Sequence, residues 1–330
     1  MGRAAAILIA SLAATIALAI VALGVGRYPV ALGDVVRALT DPTQVPAAVA
    51  QVVWNVRLPR IGGAILVGMA LACAGAAFQQ MFRNPLVAPD TLGVSAGAAL
   101  GAVGAIFMGL SIVAIQALAF GGGLVAVALV WLVASRMRAL DPLVTLILTG
   151  IVVAGLVGAG ISLIKYLADP YNQLPAITFW LLGSFASFSR QDFAAAALPI
   201  GLAVAALWLV RWRVNLLTLD DDEARALGVP VAALRAYVIC AATLATAAAV
   251  AVSGIVGWVG LVIPHCARLL VGPEFTRLLP VCAVFGAAFM LAVDTLGRTI
   301  AAIEIPPGIL TALVGSPVFV FLLARVRRFD

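Results

Sequence analysis

Arg57-Leu-Pro-Arg60, an apolar run over residues 61–82, and Arg83-Asn-Pro-Leu-Val-Ala-Pro-Asp-Thr-Leu-Gly-Val-Ser-Ala-Gly97 make up the stretch that decides the fold. Its 41 residues hold a basic entrance, an uncharged run, a polar exit and a glycine-rich return. About 20 apolar residues carry an α-helix across a bilayer, so the central run predicts one membrane crossing with arginine at both ends.

The remainder of the chain repeats this pattern. Of its 330 residues, 64% are hydrophobic and only 10% charged, and the mean hydropathy is +1.18. Values of this size exclude a soluble domain of average usage. The composition predicts an all-α polytopic membrane protein, one transmembrane domain over residues 1–330 with no sizeable soluble part. Ten apolar runs are separable, at residues 4–25, 61–82, 92–109, 111–134, 143–167, 193–210, 234–253, 254–271, 278–296 and 308–324. The first is too long for the centre of a signal peptide and reads as a retained span.

Positive charge favours cytoplasmic loops. With the N-terminus inside, 13 of the 20 basic residues fall on the cytoplasmic side, among them Arg3, Arg83, Arg136, Arg138, Arg211, Arg213, Arg327 and Arg328. Arg57, Arg60 and Arg298 fall outside with Arg27, Arg37, Lys165 and Arg190. Both termini are therefore expected in the cytoplasm. No basic patch is interleaved with aromatics, so nucleic acid is not an expected partner.

Chemistry-bearing residues are sparse. Cys73, Cys240, Cys266 and Cys282 all sit in apolar runs without a Cys-x-x-Cys pair, and His265 is the only histidine, so no metal site is expected. A phosphate-cradling loop needs a Gly-Lys-Ser/Thr ending, and the only lysine, Lys165, lies in Leu-Ile-Lys-Tyr. The chain is thus not expected to hydrolyse ATP. Mid-membrane acids that could couple transport to an ion gradient are nearly absent, Asp294 being the clearest.

Between the sixth and seventh runs, within a loop over about residues 212–233, lies Leu219-Asp-Asp-Asp-Glu-Ala-Arg-Ala-Leu-Gly-Val-Pro230. Asp220 is placed as N-cap with Glu223 three residues on, as in a capping box, and Gly228 as the C-terminal stop. This predicts a short cytoplasmic helix, either a capped surface loop or a docking helix that passes motion from a separate motor into the spans.

These residues resemble the permease subunits of type II ABC importers for iron chelates, haem and cobalamin, the FecCD family. The resemblance covers nearly the whole chain. It rests on Arg57-Leu-Pro-Arg60, on Arg83-Asn-Pro-Leu86 with Leu92-Gly-Val-Ser-Ala-Gly97, and on Phe179-Trp-Leu-Leu-Gly-Ser184. The Asp220–Gly228 segment, Val259-Gly-Leu-Val-Ile-Pro-His265 with Ala267-Arg-Leu-Leu-Val-Gly272, Asp294 to Arg298, and Glu304-Ile-Pro-Pro-Gly308 with Gly315-Ser-Pro-Val-Phe319 follow in family order.

The resemblance implies a type II ABC importer permease fold of about ten transmembrane helices in the inner membrane. It further implies a homodimer that carries two cytoplasmic ATPase subunits and meets an external substrate-binding protein. ATP and Mg would be bound by the ATPase subunits, with no cofactor in this chain. Asp220, Asp221, Asp222, Glu223, Ala224, Arg225, Leu227 and Gly228 would contact the ATPase. Arg57, Arg60 and Arg298 would meet acids of the binding protein. Residues 161–180 would line the translocation path. Gly150, Gly155, Gly158 and Gly160 fit either plain membrane packing or a gate between two copies, Ser162 would lie on the same path, and Tyr171, Asn172, Phe179 and Trp180 lie toward its outer mouth.

The expected cargo is a bulky metal chelate, a ferric siderophore first, with haem or cobalamin as alternatives. A different class, an ion-coupled secondary transporter, would depend on Asp294. An intramembrane enzyme would need paired polar groups, and Ser162 and Thr149 have no identifiable partner.

Overall fold

A computed structural model of the chain describes residues 2–137 and 142–326; Arg138, Arg327 and Arg328, counted above among the cytoplasmic charges, lie outside the described residues. Every regular element among the described residues is a helix, and no strand is present among them. A backbone inside a bilayer must satisfy its own hydrogen bonds, which these apolar segments do by coiling.

Among the described residues, seven helices are long and apolar enough to cross a membrane, and four apolar helices are shorter. The long ones are α1 (Arg3–Gly24), a continuous segment over Ala47–Met81, α6 (Ile112–Arg136), α7 (Pro142–Leu167), α9 (Arg190–Leu209), α12 (Val231–Ser253) and α14 (Phe275–Gly297). Before the Ala47–Met81 segment lies α2 (Leu32–Thr40). The segment itself is α3 (Ala47–Gln51), a π turn at Val52–Arg57, and α4 (Leu58–Met81). The shorter apolar helices are α5 (Val94–Phe107), α8 (Gln173–Leu182), α13 (Val259–Val271) and the stretch Pro307–Phe321 of α15 (Pro307–Val326). Two short polar helices, α10 (Arg211–Leu216) and α11 (Asp221–Ala226), fill the loop between α9 and α12.

All ten predicted runs are found, with changed boundaries. The third expectation, 92–109, narrows to a 3-10 turn at Pro89–Leu92 followed by α5. At 1.5 Å per residue α5 reaches about 21 Å, short of a hydrocarbon core about 30 Å thick. The eighth, 254–271, begins non-helically, because Gly254 has φ +69° and Trp258 φ +71°. Only its 13 residues from Val259 are helical. The outer continuation of the fifth run is not one helix either. After α7 the Asp169 carboxylate accepts from the Asn172 amide (2.7 Å), the Gln173 side chain accepts from Asp169 N (3.0 Å), and α8 starts afresh.

α4 is the axis of the bundle, and 20 of its 24 residues are buried. Alanine and glycine let neighbouring helices reach its backbone. A Cβ on Gly75 would stand 1.9 Å from Gly260 O, and one on Gly68 would stand 2.1 Å from Gly286 O, so α13 and α14 pack directly on main chain. The breaks before α9, α13 and α15 meet at one place. Ser184 N donates to Ser253 O (2.8 Å), and a Cβ on Gly308 would fall 2.5 Å from Leu182 O and 2.9 Å from Ile255 O. Irregular backbone at membrane depth is tolerated where protein buries it, as here.

Candidate partner interfaces and translocation path

The antiparallel spans bring chemistry to two opposite ends of the bundle. At one end, the start of α4 and the end of α14 place Arg57, Arg60, Asp294 and Arg298 together, all at most 8% exposed. Arg60 Nε donates to both oxygens of Asp294 (2.9 and 3.0 Å), and its Nη2 adds a bond to Oδ1 (2.7 Å). Its remaining donors reach Glu304, Nη1 to Oε2 at 3.2 Å and Nη2 to Oε1. Arg298 donates to Ala22 O (2.6 Å) and Val25 O (2.7 Å), while its Nε lies 3.8 Å from Asp294 Oδ2. Arg57 donates to Leu23 O and Tyr28 O.

The carbonyls at the end of α1 have no intrahelical partners, and two arginines supply them. The three arginines predicted as outward contacts are therefore together at the expected end, but their guanidiniums are turned inward. They tie α1, α4, α14 and the 298–306 loop into one unit. Sequence reasoning missed Glu304 as the second acid for Arg60; the pairing spans 244 positions and left no local signal. Asp294, the candidate for ion coupling, is held by Arg60 and neighboured by Arg298.

At the opposite end α11 projects from the bundle. Its C-terminus closes with Val229 N on Ala224 O (3.1 Å) and Gly228 N on Arg225 O (2.9 Å), the paired bonds of a Schellman motif. Gly228 has φ +78°, as its role as a stop requires. Its N-terminus departs from expectation. Asp220 occupies the N-cap position with no side-chain capping bond, so the capping box does not form. Its carboxylate instead accepts from Arg83 Nη1 at 2.9 Å.

Arg83 also donates to Leu217 O (2.9 Å) and to Leu219 O. It adopts φ +52°, one of two non-glycine residues in the left-handed region among the described residues. Asp221 takes a bidentate pair from Arg235 at 2.7 and 2.8 Å. Those hydrogen bonds hold the Asp221 carboxyl below the ordinary carboxylate range, and the nearby charges of Arg235, Arg225 and Arg83 add to the effect. Ala224 is packed inward, while Asp222, Glu223, Arg225 and Leu227 are exposed. The helix is thus gripped from behind by Arg83 and Arg235 and presents an acidic face with one exposed leucine.

The path residues divide. Gly155 and Gly158 would meet nothing within 4 Å on gaining a Cβ, and Gly160 meets only Leu100 at 3.4 Å. Ser162 is exposed and bonds Gly158 O (2.9 Å). Leu148, Ile151, Val152, Leu156 and Leu163 form an exposed apolar stripe along α7, with Gly155 and Ser162 exposed beside them and Gly158 and Gly160 half-buried. Gly150 departs from that face. It is buried, and a Cβ there would stand 2.1 Å from Thr91 O, so it seats α7 on the turn before α5. Tyr171 (87% exposed) and Phe179 (52%) stand open, with Asn172 exposed beside them. Trp180 is half-buried and lines a cavity of about 510 Å³ with Phe179, Gln116, Ser184 and Ser187.

Among the described residues no cluster of His, Cys, Asp and Glu could hold a metal ion. His265 packs edge-on to Phe319 at 6.5 Å, with neither ring nitrogen hydrogen-bonded.

The whole arrangement is matched by known proteins. The FecCD transport family profile matches residues 14–325. The chain belongs to the FecCD transport family. Within it, the molybdate import system permease protein MolB of Haemophilus influenzae is 41% identical over 315 residues, which is 94% of this chain and 93% of that protein. The hemin transport system permease protein HmuU of Yersinia pestis is 39% identical, covering 83% of this chain and 84% of its own. A solved structure described as an inward-facing conformation of a metal-chelate type ABC transporter superposes with a TM-score of 0.88 at 40% identity. It covers 97% of this chain and 99% of its own. This FecCD protein is thus a multi-pass permease of the ABC importer class, a transport subunit without an ATPase site of its own.

Proposed function

We propose that this FecCD chain forms the membrane pathway of an importer with a second copy of itself, two cytoplasmic ATPase subunits and an external substrate-binding protein. ATP and Mg belong to the ATPase subunits, and the chain sits in the inner membrane with both termini cytoplasmic. The observation that carries the reading is α11. A helix of 6 residues, held by Arg83 and Arg235 and bearing exposed Asp222, Glu223 and Leu227, suits a lever that a partner pushes.

ATP-driven movement of that lever would rearrange the α7 stripe and expose the path alternately to each side. At the arginine end, the role of Arg57, Arg60 and Arg298 in docking is to hold the surface that the binding protein meets. The 298–306 loop supplies that surface, with Ile300 65% and Ile303 81% exposed, fastened by Arg27 to Ala302 O at 2.9 Å.

The proposed cargo is a bulky metal chelate, a ferric siderophore first, with haem or cobalamin next. The uncharged α7 stripe suits a large ligand that slides through. A second reading, a metal oxyanion, is favoured by the 41% identity to a molybdate permease over 94% of the chain.

The test pairs Glu223→Lys with Leu227→Asp and measures ATPase capture and uptake into vesicles. Loss of both is expected, and undiminished capture and uptake would overturn the lever. Titrating ferric siderophore, haemin, cobalamin and molybdate against the assembled complex then identifies the cargo by which one stimulates ATP hydrolysis.

A further inference from the structure

The junction of α9 and α10 carries a charged aromatic cluster that neither the path nor the lever uses. The Arg211 guanidinium lies over the Trp208 ring at 4.1 Å and beside the Trp212 ring at 5.4 Å. Its Nη1 donates to Trp208 O (2.7 Å), while its Nε has no partner. Arg213, two residues on and across Trp212, is exposed. Among the described residues neither arginine has an acidic partner, whereas Arg83, Arg225, Arg235 and Arg277 at the same end are all paired.

The surroundings are apolar and open: Trp208 is 41%, Leu209 70% and Trp212 65% exposed. Trp208 and Leu209 form the last turn of α9, a helix long and apolar enough to span a membrane, and at such a helix end lipid covers apolar side chains while positive charge meets headgroups. Indole and guanidinium together fit that boundary, apolar on one side and hydrogen-bonding on the other. The platform is firm as well. Val214 and Leu217 are at most 1% exposed, and Asn215 Oδ1 accepts from Phe275 N at 2.7 Å, fixing α10 to the start of α14.

We propose that Arg211 and Arg213, flanked by Trp208 and Trp212, form a binding site for the phosphate headgroup of an anionic phospholipid. The site lies in the cytoplasmic-side leaflet under the orientation proposed above, and it does not depend on the cargo. Its position also matters to the lever. Leu217 O and Leu219 O, immediately after α10, are the carbonyls that Arg83 grips. A bound headgroup braces the segment from which α11 hangs.

The test is native mass spectrometry of the full chain in detergent, with equal amounts of phosphatidylglycerol and phosphatidylcholine added. An arginine near an anionic lipid surface contributes about fivefold in binding, so Arg211→Gln with Arg213→Gln should lower phosphatidylglycerol retention roughly 25-fold. Phosphatidylcholine retention should be unchanged. Arg3→Gln with Arg277→Gln removes the same charge elsewhere at this end and should retain phosphatidylglycerol. Should the double variant fold poorly, Arg211→Lys keeps the charge and loses the stacking and fork geometry, and should show a partial loss.

Equal retention by the first variant and the wild type, or an equal loss in the charge control, would overturn the site. So would displacement of the lipid by inorganic phosphate at matched concentration, because that outcome assigns a phosphate site and not a headgroup site.

Discussion

Replacing Asp294 with alanine removes the acid at the centre of the arginine end. Arg60 loses three charge-assisted bonds of 2.7 to 3.0 Å, and Arg298 loses the carboxylate 3.8 Å from its Nε. Both arginines stay buried, at 7% and 8% exposure. Breaking a buried pair by removing one partner costs about 3–5 kcal/mol, since the surviving charge is uncompensated. Glu304 still pairs with Arg60, which places the expected loss near the lower end, about 3 kcal/mol.

Replacing both members by apolar residues of similar volume, Arg60→Met with Asp294→Leu, removes the charge with its partner. The loss should then shrink by about 2 kcal/mol or more relative to the sum of the single variants. Glu304, its side chain 24% exposed, can turn to water in that variant. The assay is the unfolding midpoint in a mild detergent under graded denaturing detergent, for both single variants and the pair. A loss below about 1 kcal/mol for Asp294→Ala, within the ordinary range of surface changes, would refute the hub as a stabilising element. Uptake by Asp294→Asn separates the two transport classes: ATP-driven import should keep its independence of the ion gradient, whereas a change in gradient dependence would return the secondary transporter.

Gly75→Ala should cost about 3 kcal/mol or more, because its Cβ would stand 1.9 Å from backbone at Gly260, whereas Gly155→Ala, with open space, should stay within about 0.5 kcal/mol; detergent-stable yield and unfolding midpoints compare them. Gly228→Ala meets no neighbour but must hold φ +78°, so a loss of about 1–2 kcal/mol, read as reduced ATPase capture, is expected from backbone strain alone. A wild-type level of capture would show that the Schellman stop does not position α11. Asp221 has a folded pKa depressed below its ordinary 3.8, so its contribution is complete above that value and disappears as pH falls through the lower folded pKa. Attachment of α11, followed by proteolysis of the 212–233 loop, should therefore be constant at neutral pH and weaken only in strong acid. Asp221→Asn should remove that acid step, and an unchanged pH profile would dismiss the Arg235 pair as its source.

Much of the fold was legible because the bilayer imposes a simple rule. An uncharged run of membrane length must coil, so ten runs could be read one at a time, and the stop at Gly228 followed from local turn chemistry. The breaks were harder to read. Nothing apolar distinguishes the non-helical residues 254–258 from the helix after them, since their conformation depends on the approach of residues 182–184 and 306–308. The turn between α7 and α8 is likewise set by side chains bonding back across a few residues, which hydropathy does not register.

The candidate site was legible as a set of residues and only partly as an arrangement. Sequence alone placed Arg57, Arg60 and Arg298 at one end and Asp220 to Gly228 at the other, because charge is confined to span ends when the interior is hydrocarbon. It also excluded an ATPase loop and pointed to the FecCD family. Only the tertiary structure decided where those charges point: Arg60 inward to Asp294 and Glu304, Asp220 to Arg83 instead of its own helix, and Gly150 against Thr91. Each partner lies far along the chain or across a helix packed by glycine, and a buried charge takes whichever opposite charge or carbonyl the packing brings within reach.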